Sequence, residues 1–125
     1  MAPARLLLSL FAALAVASTL APAPAAARTN YDGNWSVLIV TNSGPCDRAY
    51  RYGLSIRNGK VFYEGSAGVN VDGRVAPNGV VRVRVWAGSQ SASGAGRLSA
   101  DYGEGSWQGS GSASSCAGSW SAERR

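Results

Sequence analysis

Apolar and polar residues alternate with a period of two on either side of the dipeptide Asn58-Gly59, and this pattern constrains the fold more than any other feature of the chain. Asn-Gly accepts the positive φ angles of a two-residue type I′ turn, which predicts a hairpin of residues 50–57 and 60–64. Only one register brings the apolar side chains to a single face, because a one-residue slip turns a whole strand over. That face carries Tyr50, Tyr52, Leu54, Ile56, Val61 and Tyr63, and the other carries Arg51, Arg57 and Lys60.

A second hairpin is predicted around the turn residues 76–79, which read Ala-Pro-Asn-Gly. Valines alternate with polar residues on both sides of this turn, so the valines are expected to face the core. The core-facing set is Val69, Val71, Val75, Val81, Val83 and Val85, whereas Arg82, Arg84 and Trp86 fall on the opposite face.

The alternation continues to the C-terminus, and no segment shows sustained helical spacing. Short connections between consecutive strands favour an up-and-down meander, in which the first and last of eight strands can pair. The sequence therefore predicts an all-β fold, a small antiparallel up-and-down barrel of about eight strands closed by one disulfide. The predicted strands are roughly 33–41, 49–57, 60–65, 68–75, 80–87, 90–98, 104–109 and 115–123.

The chain contains two cysteines, and their positions favour this closure. Cys46 follows the end of the first predicted strand and Cys116 begins the last, so both fall at the same rim of a closed barrel. Pairing is the default for an exported protein, and residues 1–27 predict export. The bridge would close a loop of about 70 residues, which would contribute about 4 kcal/mol to stability in the chain-entropy model. The alternative is a free reactive thiol, which would need a nearby base.

Residues 1–27 have the features of a secretory signal peptide. Arg5 supplies the positive charge, Leu6–Leu20 the apolar region, and Ala25–Ala27 the small residues of a cleavage site. A membrane anchor is the alternative, but about 15 apolar residues fall short of the roughly 20 that a spanning helix needs. We therefore expect a signal peptide at 1–27, a single β-barrel domain at 28–125 without a transmembrane segment, and a secreted or periplasmic location.

Composition argues against catalysis, because the chain contains no histidine. This excludes Ser-His-Asp and Cys-His nucleophile systems and imidazole metal ligands. We expect a protein that is not an enzyme and that has no metal site and no cofactor. The net charge is +5, but the arginines are scattered along the chain and form no basic stripe interleaved with aromatic residues. Nucleic acid is therefore not an expected partner.

Three tryptophans, Trp35, Trp107 and Trp120, share a Gly-x-Trp context. They are expected to be core residues, because the interior of an eight-strand barrel is barely wide enough for its side chains. Stacking on a ligand inside the barrel mouth is the alternative. Trp86 differs, since the alternation places it beside Arg82 and Arg84 on the outer face. It could anchor a partner there, or cover neighbouring strands.

The tyrosines of the first hairpin are the remaining candidates for binding. Tyr50, Tyr52 and Tyr63 share one face, where they could line a small-molecule pocket or serve as ordinary β-core residues.

The opening Gly33-Asn34-Trp35 together with a terminal Arg124 or Arg125 resembles the calycin barrels, the lipocalins, avidins and their relatives. This resemblance implies that the first-strand tryptophan packs at the closed barrel end under an arginine of the last strand. The mature chain also resembles small exported β-proteins of alphaproteobacteria, some of them labelled haem-utilisation or adhesion exoproteins. The shared segments are 31–35, 44–46 and 116–124.

These observations predict an exported, non-catalytic binding module for a small ligand or for an envelope or extracellular partner. The alternatives are a secreted protease inhibitor of the small-barrel type, which would insert its N-terminal arm into an enzyme, and a haem-utilisation or adhesion accessory protein. The interior volume discriminates between the two modes of binding. A cavity of a few hundred Å³ favours a ligand, and a packed interior favours a surface partner. The oligomeric state is left open.

The mature protein is expected to begin at Arg28, because Ala25 and Ala27 provide the small residues that signal peptidase requires. Mass spectrometry of protein recovered from the periplasm or the medium checks this. A chain that still begins at Met1 there contradicts it.

Overall fold

A computed structural model describes residue 15 and residues 30–66, 68–112 and 114–125. Each strand pairs antiparallel with the next, and the first pairs with the last, so the described chain forms a closed eight-strand barrel. This confirms the predicted fold class. The predicted signal peptide lies outside the described residues, apart from Ala15. The strands are β1 Gly33–Ser43, β2 Ala49–Arg57, β3 Lys60–Tyr63, β4 Asn70–Val75, β5 Val80–Ala87, β6 Gln90–Leu98, β7 Tyr102–Ser110 and β8 Ser115–Arg124.

The Asn58-Gly59 turn sets the register of the first predicted hairpin. Both turn residues have positive φ, 53° at Asn58 and 75° at Gly59, as a type I′ turn requires. Ile56 lies opposite Val61 and Leu54 lies opposite Tyr63, which is the predicted register. The apolar face of this hairpin therefore points into the barrel.

The structure corrects several strand limits. β3 ends at Tyr63 and β4 begins only at Asn70, so the two strands share a single ladder pair, Lys60 with Arg74. β7 begins earlier than predicted, at Tyr102, because the Ser99 amide donates to the Tyr102 carbonyl at 2.6 Å and closes a tight turn.

Arg124 closes one end of the barrel. Its guanidinium carbon lies 4.7 Å from the centre of the Trp35 ring. The same side chain donates to the carbonyl oxygens of Asn30, Asp32 and Ala100 at 2.8, 2.6 and 2.9 Å. The last strand is thereby bound to the first strand, to the segment before it and to the β6–β7 turn. This arginine position is the one that the calycin resemblance implies, whereas membership of that family stays a prediction.

Residues 30–32, which precede β1, lie across the same end of the barrel. The Trp35 indole donates to the Tyr31 carbonyl at 2.8 Å, and the Asp32 carboxylate accepts from the amides of Asn58 and Gly59 at 2.7 and 3.1 Å. The core of the barrel holds Trp35, Val37, Ile56, Val61, Val75, Val81, Leu98 and Ala122.

The β1–β8 pairing runs from Trp35 opposite Arg124 to Ser43 opposite Ala117, with a register shift between Thr41 and Ser43. Beyond its far end, Cys46 and Cys116 form the predicted disulfide. Cys116 is buried, and its sulfur accepts from the Cys46 amide at 3.1 Å. A disulfide is compatible with an oxidising, exported location.

The Cys46→Ala/Cys116→Ala variant is expected to fold with an unfolding free energy lower by about 2–4 kcal/mol, because the unfolded chain regains the freedom of a long loop. Urea denaturation of the variant and of the oxidised parent measures this difference. Two free thiols in the parent by peptide mapping, or equal midpoints for the two proteins, contradict it.

Candidate functional site

The barrel encloses a cavity of about 480 Å³ above the floor formed by Trp35 and Leu98. It extends toward the end that carries the disulfide, where Ala87, Gln90 and Ser114 contribute to its lining. This is the mouth of the barrel. None of the described lining residues carries a charged side chain. The interior is therefore wider than expected for an eight-strand barrel, and it is apolar.

Small residues on three neighbouring strands create this space. β6, β7 and β8 point glycine or alanine inward at most of the positions where β2 and β5 point larger side chains. The sequence signal is a period-two series of small residues, which the propensities of strand-forming residues do not single out. The series is Ala92, Gly94, Gly96, Gly103, Gly105, Gly109 and Gly118.

Trp120 lies flat on two of these glycines. A Cβ on Gly96 or Gly105 would come within 2.5–2.7 Å of the Trp120 ring. The indole nitrogen donates to the carbonyls of Ala95 and Ser106 at 3.3 and 3.2 Å. The ring is therefore held against the wall instead of projecting across the barrel.

Trp107, on the neighbouring strand β7, is held in a similar way. A Cβ on Gly118 would come 2.9 Å from its indole nitrogen, which donates to the Val40 carbonyl at 3.0 Å. Val40 is the residue before Thr41, after which the register shift in β1 occurs. Because Trp35, Trp107 and Trp120 all use their N–H groups within the protein, they offer a ligand only ring surface.

The three predicted tyrosines line the cavity together. The ring centres of Tyr50 and Tyr52 are 6.0 Å apart, and those of Tyr52 and Tyr63 are 6.1 Å apart. The Tyr50 hydroxyl accepts from the Asp47 amide at 2.9 Å. Within the described part of the chain, no hydrogen bond engages the hydroxyls of Tyr52 and Tyr63. These two hydroxyls are therefore free to bond a ligand.

Burial raises the pKa of Tyr52, and the neighbouring Tyr50, Tyr63 and Asp47 raise it further. Its phenol consequently stays protonated at neutral pH and can donate a hydrogen bond.

Of the other predicted binding residues, Trp86 lies at the rim of the cavity, whereas Arg82 and Arg84 do not line it. Trp86 is 37% exposed at the mouth end of β5, and the Arg84 guanidinium carbon lies 5.6 Å from the centre of its ring. Arg82 and Arg84 are exposed on the outer surface. The structure therefore places the tyrosine group of Tyr50, Tyr52 and Tyr63 in the cavity lining, Arg82 and Arg84 on the outer surface, and Trp86 at the rim between them.

Comparisons with protein-family models, with curated proteins and with solved structures give no match to this chain. Within the described residues, no helix has the length and hydropathy needed to cross a membrane.

Gly105→Ala is expected to lower the unfolding free energy by about 1–3 kcal/mol, because the added methyl would overlap the Ala95 carbonyl and the Trp120 ring. Gly94→Ala is the matched control. Its Cβ would meet nothing nearer than 3.6 Å, so a gain of about 0.5 kcal/mol is expected from the lower entropy of the unfolded chain. Urea denaturation distinguishes the two variants, and equal effects contradict this packing of Trp120.

Proposed function

We propose that the mature chain is an exported, non-catalytic binding protein that holds a neutral, mainly apolar small molecule inside the barrel. The observation that carries this proposal is the cavity of about 480 Å³, which lies within the size range of small-molecule sites. Its lining lacks charged side chains, and an unpaired charge is costly to bury in such a place. A ligand without a formal charge therefore fits best.

The arrangement of the lining also suggests an orientation for the ligand. The deep part offers valine, leucine and tryptophan surfaces, which favour an apolar body. The hydroxyls of Tyr52 and Tyr63 favour a hydroxyl, carbonyl or ether group on the part of the ligand that lies against them.

The inhibitor alternative receives less support. An inserting N-terminal arm must be free, yet Asp32 caps the Asn58-Gly59 turn and the carbonyl of Asn30 accepts from Arg124. Residues 30–32 are thereby fastened to the closed end of the barrel.

A second candidate function is binding of an envelope or extracellular partner at the outer surface. The exposure of Trp86 beside Arg84 favours it, because a tryptophan next to an arginine is typical of interaction hot spots.

Titration with the neutral probe N-phenylnaphthylamine tests the cavity. Probe fluorescence is expected to rise on binding, and the sulfonated, anionic analogue is expected to bind at least about tenfold more weakly, because the cavity provides no counter-charge.

Gly94→Leu places a side chain in the cavity between Trp107 and Trp120, and is expected to weaken binding of the neutral probe by about tenfold or more. Ala95→Leu is the matched control, since it places a leucine side chain on the outer face of the same strand. Circular dichroism checks that both variants fold. Equal affinity of the two folded variants contradicts a ligand site inside the barrel.

A further inference from the structure

Four cations lie in direct succession across the outer surface of the barrel. Arg57 is opposite Lys60, Lys60 is opposite Arg74, and Arg74 is opposite Arg82. All four are exposed, and they span three strand spacings, about 14 Å. This set is called the cationic row below.

No ion pair among the described residues involves the cationic row. The described ion pairs join Arg124 with Asp101 and Arg125 with Glu64. Asp72 lies opposite Arg84 and not opposite a member of the row, and the Asp32 carboxylate accepts from the amides of the turn between Arg57 and Lys60. Because like charges directly opposite one another destabilise a sheet, an external anion bound to the row would offset this repulsion.

The shape of this surface points to an extended partner. The outer face of a barrel is convex, so the side chains of the row diverge and cannot converge on one small anion. A surface with many negative charges can contact them together. Each cation near such a membrane surface contributes about 1 kcal/mol to binding.

Aromatic residues accompany these cations, so strand pairing assembles a basic stripe that the scattered positions of the arginines in the sequence did not predict. The Phe62 ring centre lies 4.4 Å from the Arg57 guanidinium carbon and 5.4 Å from the Lys60 nitrogen. Trp86 is exposed beside Arg84 on the same outer surface. Aromatic rings next to basic side chains are typical of surfaces that contact the headgroup region of a membrane.

We propose that the cationic row, with Phe62 and Trp86, docks the barrel onto a membrane surface rich in anionic phospholipid headgroups. This inference rests on the outer-surface binding that we propose as the second candidate function, and it supplies the chemistry of the partner. The cationic row and Phe62 contribute no residue to the cavity lining, whereas Trp86 lies at its rim.

Co-sedimentation with vesicles tests the proposal. Binding is expected to phosphatidylcholine vesicles that contain about one third phosphatidylglycerol, and not to pure phosphatidylcholine. It is expected to disappear at about 1 M salt, where the screening length falls to about 3 Å. Absence of binding at low salt, or equal binding to both vesicles, overturns the proposal.

Arg74→Gln/Arg82→Gln removes two charges from the row and is expected to weaken vesicle binding by about 25-fold, since each cation contributes about fivefold. Its denaturation midpoint is expected not to fall, because like-charge repulsion is relieved. Arg48→Gln/Arg51→Gln is the matched control. It removes the same charge from two exposed positions, Arg51 at the mouth end of β2 and Arg48 just before this strand, and is expected to keep most of the binding. Arg51 lies about 20 Å from Arg57 along the strand, and Arg48 lies farther away.

Equal losses in the two double variants would show that net charge alone drives binding, and would overturn the proposal. Binding to an acidic polysaccharide such as heparin without binding to vesicles would also overturn it. Binding of N-phenylnaphthylamine without vesicles is measured separately, so failure of the cavity proposal and failure of this one are distinguishable.

Trp86→Ala is expected to reduce vesicle binding with little change in the denaturation midpoint.

Discussion

The stacking of Arg124 over Trp35 is the contact on which the rest of the structure depends. It joins the last strand to the first, and its hydrogen bonds to Asn30 and Asp32 bring the preceding segment beneath the barrel. A cation held against a partly desolvated aromatic ring contributes up to about 2 kcal/mol, and here it also directs hydrogen bonds to three carbonyls. The β1–β8 register begins at this pair, so the contact lies where the ring of strands closes.

The closed end also determines where in the barrel the cavity lies. Large side chains gather at the floor, where Trp35 is 1% exposed and Leu98 is 5% exposed. Farther up, glycines on β6, β7 and β8 let Trp107 and Trp120 lie against the wall. The cavity therefore results from the distribution of small and large residues along the strands. The disulfide restrains the opposite end, where Cys46 is among the lining residues.

Strand order, closure and the register at Asn58-Gly59 follow from the sequence, because each depends on local chemistry or on the position of the two cysteines. The cavity could not be predicted in the same way. Alternation places Trp120 inside the barrel, but its orientation depends on Gly96 and Gly105 of other strands. The cationic row depends on the pairing of β3 with β4 through a single residue pair after a loop, and no turn motif specifies that register. The grouping of Tyr50, Tyr52 and Tyr63 could be predicted from the sequence, since all three residues belong to one predicted hairpin.

Diffraction from crystals equilibrated with xenon tests most directly whether the barrel holds an unfilled apolar cavity, because xenon enters such cavities without needing a specific ligand. Our account predicts xenon density inside the barrel, between the tyrosine group and Trp120, and loss of that density in Gly94→Leu. A packed interior, with xenon absent or bound only on the outer surface, would contradict it.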